Sequence, residues 1–255
     1  MLWYKTWLDT RSRFLAGLVL LLLSAGSTVL IYPQVAQLLT TVPETALNGA
    51  IGRQVREALE LSRTFEGYVW REWFVNNLPK TWALFAILLG AGGLLSQASR
   101  GGAMFMLSLP VSRERLLDIR AGAALAELFV LAIVPSVLVV LLSPAVGQSY
   151  NLGDALVHAV CLFIAGTVLF SLTFLLSTVF NDLWRPPLIV VGLATCVSFA
   201  EQAIQGLSRY SLFGVMSAES YFRDGAIPWV GLAVTASASA AMLYLARTNM
   251  ARHDF

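Results

Sequence analysis

Charge is scarce in this chain. Only 13% of its 255 residues are Asp, Glu, Lys or Arg, about half the ~25% of an ordinary soluble domain. No stretch gathers Lys and Arg into a block, which excludes the electrostatic footprint of a nucleic-acid binder. Cysteine and histidine are also rare, at 2 each. Cys161 and Cys196 each sit alone inside an apolar run, where a thiol behaves as a small hydrophobe. Neither has a second ligand at metal spacing, and His158 and His253 are equally isolated. Several chemical signatures are missing. Without G-x-x-x-x-G-K-[ST] the chain holds no nucleotide in a P-loop. Without H-E-x-x-H, G-x-S-x-G or a Cys/His cluster it offers no centre for metal catalysis or for hydrolysis within a membrane. The sequence therefore assigns no catalytic residue, no metal site and no cofactor to this chain.

Apolar residues take the place of charge. The hydrophobic share is 57% and the mean hydropathy is +0.72, values of an integral membrane protein. Six apolar runs can be drawn, Phe14–Tyr32, Lys80–Leu95, Ile119–Leu142, Ala155–Phe180, Pro187–Ala203 and Ile227–Ala246, each near the length that crosses ~30 Å of hydrocarbon. The expectation is an all-α polytopic membrane protein of one domain, residues 1–255, with six transmembrane helices. Lys5, Arg11 and Arg13 before Leu15–Ser27 imitate a signal peptide. The run continues to Tyr32 and five more follow, so the first span is expected to be retained. Ahead of it, Trp3, Trp7 and Thr10 recur at helical spacing before Phe14, and residues 1–13 read as an interfacial amphipathic helix.

Six spans put both termini on one side, and cations choose that side. With the termini fall Lys5, Arg11, Arg13, Arg100, Arg113, Arg115, Arg120, Arg185, Arg247 and Arg252. Opposite lie Arg53, Arg56, Arg63, Arg71 and Lys80, all in one long loop where the rule is weak, together with Arg209 and Arg223. Both termini and the 97–118 connection are therefore expected in the cytoplasm. The 33–79 loop is expected outside as an ordered helical element. In it Leu47, Ile51, Val55 and Ala58 recur every three to four residues, and Arg56, Glu60 and Arg63 are spaced to pair on a helix. Its aromatic end, Tyr68, Trp70, Trp73 and Phe74, reads as the return to the membrane surface. Residues 204–226 mix Tyr210, Leu212, Phe213, Val215 and Met216 with Gly206 and Gly214. They read as a pair of short re-entrant helices. Thr235 to Ala241 are small, which suits close helix packing with a partner inside the chain or in a second copy.

Two acids lie in or near the spans. Glu127 falls well inside the third and Glu201 near the outer end of the fifth. An ionisable group held in a membrane is costly and marks a candidate pathway. Glu127 suits a proton relay or a substrate contact, or else a buried structural pairing, whereas Glu201 lies where water can hydrate it. Pro135 suits a modest kink.

Met106, Leu107, Ser108, Leu109, Pro110, Val111, Ser112 and Arg113, with Gly101 ahead of them, resemble the cytoplasmic segment of ABC-2 type transporter membrane subunits. Tyr221, Phe222, Gly225 and Ile227 resemble that family's aromatic turn before the last span, and Arg252, Asp254 and Phe255 its usual ending. The resemblance covers the layout of nearly the whole chain. Ser99, Arg100, Gly102 and Met104 depart from the family's acidic residues and threonine around the glycine. The resemblance implies a noncatalytic permease of an ATP-driven exporter in a prokaryotic plasma membrane, moving an amphipathic or lipophilic cargo such as a peptide, lipid or drug. It implies a coupling helix in 97–118 using Gln97, Arg100, Gly101, Met104, Pro110, Arg113 and Arg115, and an outer gate at Phe213, Tyr221 and Phe222. The expected partners are a separate ATP-binding cassette subunit that holds ATP and Mg, a second permease copy or a related chain, and membrane lipid, with no nucleic acid. Two other classes fit the residues, a proton-coupled secondary transporter using Glu127 and a membrane scaffold that moves nothing.

Overall fold

A computed structural model of the chain describes residues 2–39, 59–91, 113–180, 182–203 and 211–252, and every regular element among them is helical. Helix α1, Leu2–Leu39, is one unbroken run of 38 residues, about 57 Å at 1.5 Å per residue. Nothing between Lys5 and Phe14 punctuates a helix, so residues 2–13, expected as an interfacial helix, continue directly into the first span as part of α1. Pro33 also lies inside α1, so the loop expected from residue 33 begins within a helix.

Residues 40–58 lie outside the described residues. The chain resumes in a helical turn at 59–62, and Thr64 then caps α2, Phe65–Val69, by accepting a hydrogen bond from Gly67 N at 3.2 Å. Residues Trp70–Asn77 wind into a π-helical stretch that leads into α3, Leu78–Gly90. The aromatic end of this loop, Tyr68, Trp70, Trp73 and Phe74, is buried inside the bundle, where rings from distant segments pack on it. Tyr32 of α1 meets Phe65 and Tyr68 at centroid distances of 4.9 and 5.2 Å.

Helix α4, Arg113–Leu142, runs through Pro135 into a 3-10 turn at Ser143–Val146. That turn ends at Gly147, whose φ of 69° suits a residue without Cβ. Asn151 then caps α5, Leu152–Val179, by accepting from Gly153 N at 2.8 Å. The rest of the chain forms α6 (Arg185–Ala203), two short helices α7 (Leu212–Met216) and α8 (Glu219–Asp224), and α9 (Trp229–Arg252). The short pair falls where the re-entrant segment was expected. Four segments are long and apolar enough to cross a membrane, Thr10–Leu38, Arg115–Val146, Leu152–Val179 and Trp229–Met250. The expected second and fifth spans, α3 and α6, are not among them; α3 has only 13 residues.

Cross-helix contacts fix the direction of each helix. Trp3 lies against Gly122 and Thr10 bonds Glu127, so α1 and α4 are parallel. Arg13 reaches Leu88, Gly17 faces Phe85 and Thr28 meets Asn77, so α3 runs against α1. Phe74 meets His158, Trp82 meets Gly166 and Gly90 meets Thr173, so α5 runs with α3. Thr167 bonds Ser239 and Asn249 bonds Thr178, so α9 runs with α5. One end of the bundle therefore collects Leu2, Gly90, Arg113, Val179 and Arg252. The other collects Leu39, Phe65, Leu142, Leu152 and Trp229.

Absent side chains let these helices touch. A Cβ on Gly166 would fall 2.2 Å from Cζ3 of Trp82, and one on Gly90 would fall 2.9 Å from the Phe170 carbonyl oxygen. Close approach of this kind is how apolar helices gain contact when the surroundings are as oily as they are. Among the small residues Thr235 to Ala241 of the last helix, Ser239 is the one buried, and Ala236, Ser237, Ala240 and Ala241 are exposed. Buried Ser239 lies 3.1 Å from Thr167 Oγ1 on α5, while Trp229, Val230, Val234 and Tyr244 remain exposed.

Candidate functional site

Polar chemistry concentrates at two depths in the bundle. Toward the end that holds the N-terminus, Glu127 of α4 is 6% exposed. Its Oε1 accepts a hydrogen bond from Thr10 Oγ1 at 2.6 Å, while its Oε2 is buried without a partner. Thr10 has competing acceptors on its own helix in the carbonyls of Thr6 and Trp7, at 3.2 and 3.4 Å. Close by in sequence, Arg13 donates to the Leu88 carbonyl at 2.8 Å. That carbonyl belongs to the last turn of α3, where the helix leaves acceptors unmatched and favours a cation. The first turns of α1 are thus tied to α4 by a carboxyl group and to α3 by a guanidinium. A buried carboxyl with one open oxygen is equipped to hold a proton or a small hydrogen-bond donor.

The second concentration lies at the opposite end, where α7 and α8 close over the start of α5. His158 is 1% exposed, and its Nδ1 stands 2.9 Å from the Ser217 carbonyl oxygen. A carbonyl can only accept, so Nδ1 carries the proton. One turn earlier on α5, Asp154 Oδ1 accepts from the Tyr221 hydroxyl at 2.7 Å. Phe222, the next residue, stacks on the Trp70 indole at a centroid distance of 4.2 Å and an interplanar angle of 3°. Phe74 stacks on both His158 and Tyr150, at 4.5 and 5.9 Å. The π-helical winding of Trp70–Asn77 aims these rings into the cluster, and such local departures from the α-helix recur at functional sites.

Tyrosines at this end hold their protons tightly. Tyr221 is raised above the usual 10.0 by its bond to Asp154, then by burial and by the charge of Asp154. Tyr150 is raised chiefly by burial, with the charges of Asp154 and Glu66 and the neighbouring Tyr221 adding to it. Tyr68 is raised by burial and by Glu72.

The expected site residues divide among these places. Tyr221 and Phe222 come together in the outer cluster, and Phe213 sits half-buried on α7. Glu127 stands alone toward the other end. Glu201 is hydrogen-bonded through both of its carboxylate oxygens. Its Oε2 accepts from Ser211 Oγ at 2.7 Å and its Oε1 from Leu212 N at 2.9 Å, which fastens the start of α7 to α6. Gln97, Arg100, Gly101, Met104 and Pro110 lie outside the described residues. Arg113 opens α4, and Arg115 is exposed in its first turn. Near them Arg247 Nη1 approaches Asp118 Oδ2 at 3.9 Å, so α9 ends among the same charges. Cys161 is buried, Cys196 exposed and both are free.

Trp70, Phe74, Asp154 and His158 were not recognised as site residues from the sequence. The available signal was the spacing of Asp154 and His158, four apart on one helix face. No protein-family model, no curated protein and no solved structure matches the chain.

Proposed function

We propose that the chain is the membrane permease subunit of an ATP-driven exporter of the ABC-2 type. In this reading all six helical passes cross the membrane, with both termini and the 92–112 connection in the cytoplasm. One observation carries it. The connection between Ala91 and Arg113, which holds the Met106–Arg113 string, leaves and re-enters the bundle at the end where α1 starts and α9 finishes. That end also gathers Arg11, Arg13, Arg113, Arg115, Arg185, Arg247 and Arg252, the pattern of a cytoplasmic face. A separate cassette subunit would bind ATP and Mg, dimerise, and pass its closure to the bundle through the 97–118 segment. The cargo is an amphipathic or lipophilic molecule, and a second permease copy would complete the pathway.

The test is whether a P-loop ATPase co-purifies with this chain, followed by flux in proteoliposomes. Replacing Arg113 and Arg115 together with Glu is expected to lower complex formation or the stimulation of ATP hydrolysis. Cargo movement by the chain alone, without nucleotide, would refute the reading. A second reading, a proton-coupled transporter, is favoured by the unpartnered Oε2 of Glu127. It expects a proton gradient to drive flux without an ATPase, and Glu127→Gln to abolish that flux.

A further inference from the structure

Helix α8 is attached to the bundle differently from every other helix described. None of its six residues, Glu219–Asp224, is buried. It is bracketed by two left-handed residues, Ala218 with φ 51° and Gly225 with φ 70°. Ala218 is the one described residue other than glycine with positive φ, a conformation that its Cβ opposes. Strain of this kind persists only where the surroundings enforce it. The enforcing contact is immediately upstream, where His158 pins the Ser217 carbonyl. Beyond that pin, Tyr221 and Phe222 reach the rest of the bundle, while Glu219 and Arg223 pair within the helix at 2.8 Å and stay exposed. Fixed base, left-handed joints and two adjacent anchoring side chains are the parts of a flap.

The groups beneath the flap have a definite chemical character. Tyr221 covers the Asp154 carboxylate and Phe222 covers the Trp70 indole face. Trp70 and Asp154 each stand four residues before the stacked Phe74–His158 pair on segments that run parallel, so the indole and the carboxylate share one level of the bundle. Among the described residues no basic side chain pairs with Asp154, and the carboxylate of Glu66 is near enough to act on the adjoining Tyr150. The Trp70 indole N–H is itself buried without an acceptor. A negative group beside aromatic faces is the arrangement that holds an organic cation, with tryptophan the strongest of the rings.

We propose that α8 is a built-in ligand of this site, and that when it swings out on Ala218 and Gly225 the Asp154 carboxylate and the Trp70 face take an amphipathic organic cation. Tyr221 stands in for the cation's polar head and Phe222 for its apolar body. Binding is measured on this chain alone and needs no motor. Only the name cargo for that cation rests on the permease reading, so absence of an ATPase partner would overturn that reading and leave this one intact.

The test uses the full chain in nanodiscs of uncharged lipid with two probes of matched shape, tetraphenylphosphonium and tetraphenylborate. Equilibrium binding is followed by tryptophan fluorescence. The phosphonium is expected to bind and the borate to bind more weakly, with Asp154→Asn lowering phosphonium affinity roughly fivefold or more. Phe222→Ala removes the competing ring and is expected to tighten phosphonium binding about 2- to 10-fold, the equivalent of one lost aromatic stack. Should Phe222→Ala lose the fold, Tyr221→Phe carries the test. It keeps the ring, releases Asp154 and is expected to tighten binding in the same direction. Equal affinity for the two probes, indifference to Asp154→Asn, or weaker binding when the flap's own anchors are removed would each overturn the proposal, as would no binding by the wild-type chain and the variants together.

Discussion

Gly166→Ala adds one carbon to the bundle at its tightest helix crossing. The new Cβ would sit 2.2 Å from Cζ3 of Trp82, 2.9 Å from Cη2 and 3.0 Å from Cε3, so the indole must move. Trp82 is fully buried, and its Nε1 donates to the Leu128 carbonyl at 2.9 Å. Its ring therefore cannot shift without loosening a bond that joins α3 to α4. Overpacking at this level costs ~1–3 kcal/mol, and the weakened hydrogen bond adds ~1 kcal/mol. Alanine recovers ~1 kcal/mol over glycine inside a helix, leaving a net loss of about 1–3 kcal/mol. Temperature-scanned tryptophan fluorescence of the full chain in detergent should show a transition lowered by several degrees. Gly192→Ala on α6 is the control, since a Cβ there meets nothing within 4 Å, and its transition should stay level or rise. Trp82→Phe placed on Gly166→Ala should recover part of the loss, because the smaller ring vacates the space the methyl needs. If Gly166→Ala and Gly192→Ala melt together, the helix crossing inferred from these two residues is wrong.

Two further outcomes follow from the polar sites. Thr10→Val keeps the side-chain shape but strips Glu127 of its one donor, leaving a buried carboxyl with neither oxygen bonded. The loss should be about 1–3 kcal/mol, with Thr10→Ser near wild type in the same fluorescence melt. Equal melting of the valine and serine variants would mean that the 2.6 Å contact contributes nothing. The Tyr221 bond sets an alkaline limit on the flap. A tyrosine raised above its free value lends stability that is complete below that value, 10.0, and is lost as pH climbs through the raised one. Tyrosinate absorbance should therefore show Tyr221 among the late-ionising tyrosines of the wild-type chain, with Tyr68 and Tyr150, and one fewer late group in Tyr221→Phe. An unchanged titration would put the hydroxyl elsewhere.

The helical class and the long apolar runs were legible because composition and run length report directly on hydrocarbon-spanning helices. The edges were less so. Pro33 reads as a loop start, yet α1 carries it as an interior residue, and no residue before Phe14 breaks the helix that was expected to end there. The aromatic stretch Tyr68 to Phe74 shows the deeper limit. The same rings suit a membrane surface or a packed interior, and what decides between them is Tyr32, Tyr150, His158 and Phe222, all far away in sequence. The candidate site divides the same way. Glu127 stood out as an acid in an apolar run and Tyr221 and Phe222 as an aromatic turn, because each is unusual in its own neighbourhood. Their partners are ordinary where they stand. Thr10 is one threonine among many until it meets Glu127 117 residues away, and Asp154 looks like a favourable acid in a first helical turn until Tyr221 reaches it.

The proposal of six crossings turns on α6, which is not among the segments that qualify on length and apolarity. Helices α5 and α9 are parallel, since Asp154 and Ser217–Tyr221 meet at one end and Thr178 and Asn249 at the other. The chain between them must return the full height of the bundle. Helix α6 does so in 19 residues, about 28 Å against ~30 Å of hydrocarbon. Its surface argues the same way. Pro186, Pro187 and Val190 are its only buried residues among those described, while Leu188, Val191, Leu193, Val197 and Phe199 are exposed in every direction. In water each such side chain left uncovered forgoes ~1.5–3 kcal/mol of burial, whereas in a lipid tail region it forgoes almost nothing. On the proposal of six crossings, this helix, joined to α7 through Glu201 at one end and started by the Asp182–Arg185 pair at the other, presents its apolar side chains to lipid or to the second copy instead of to water.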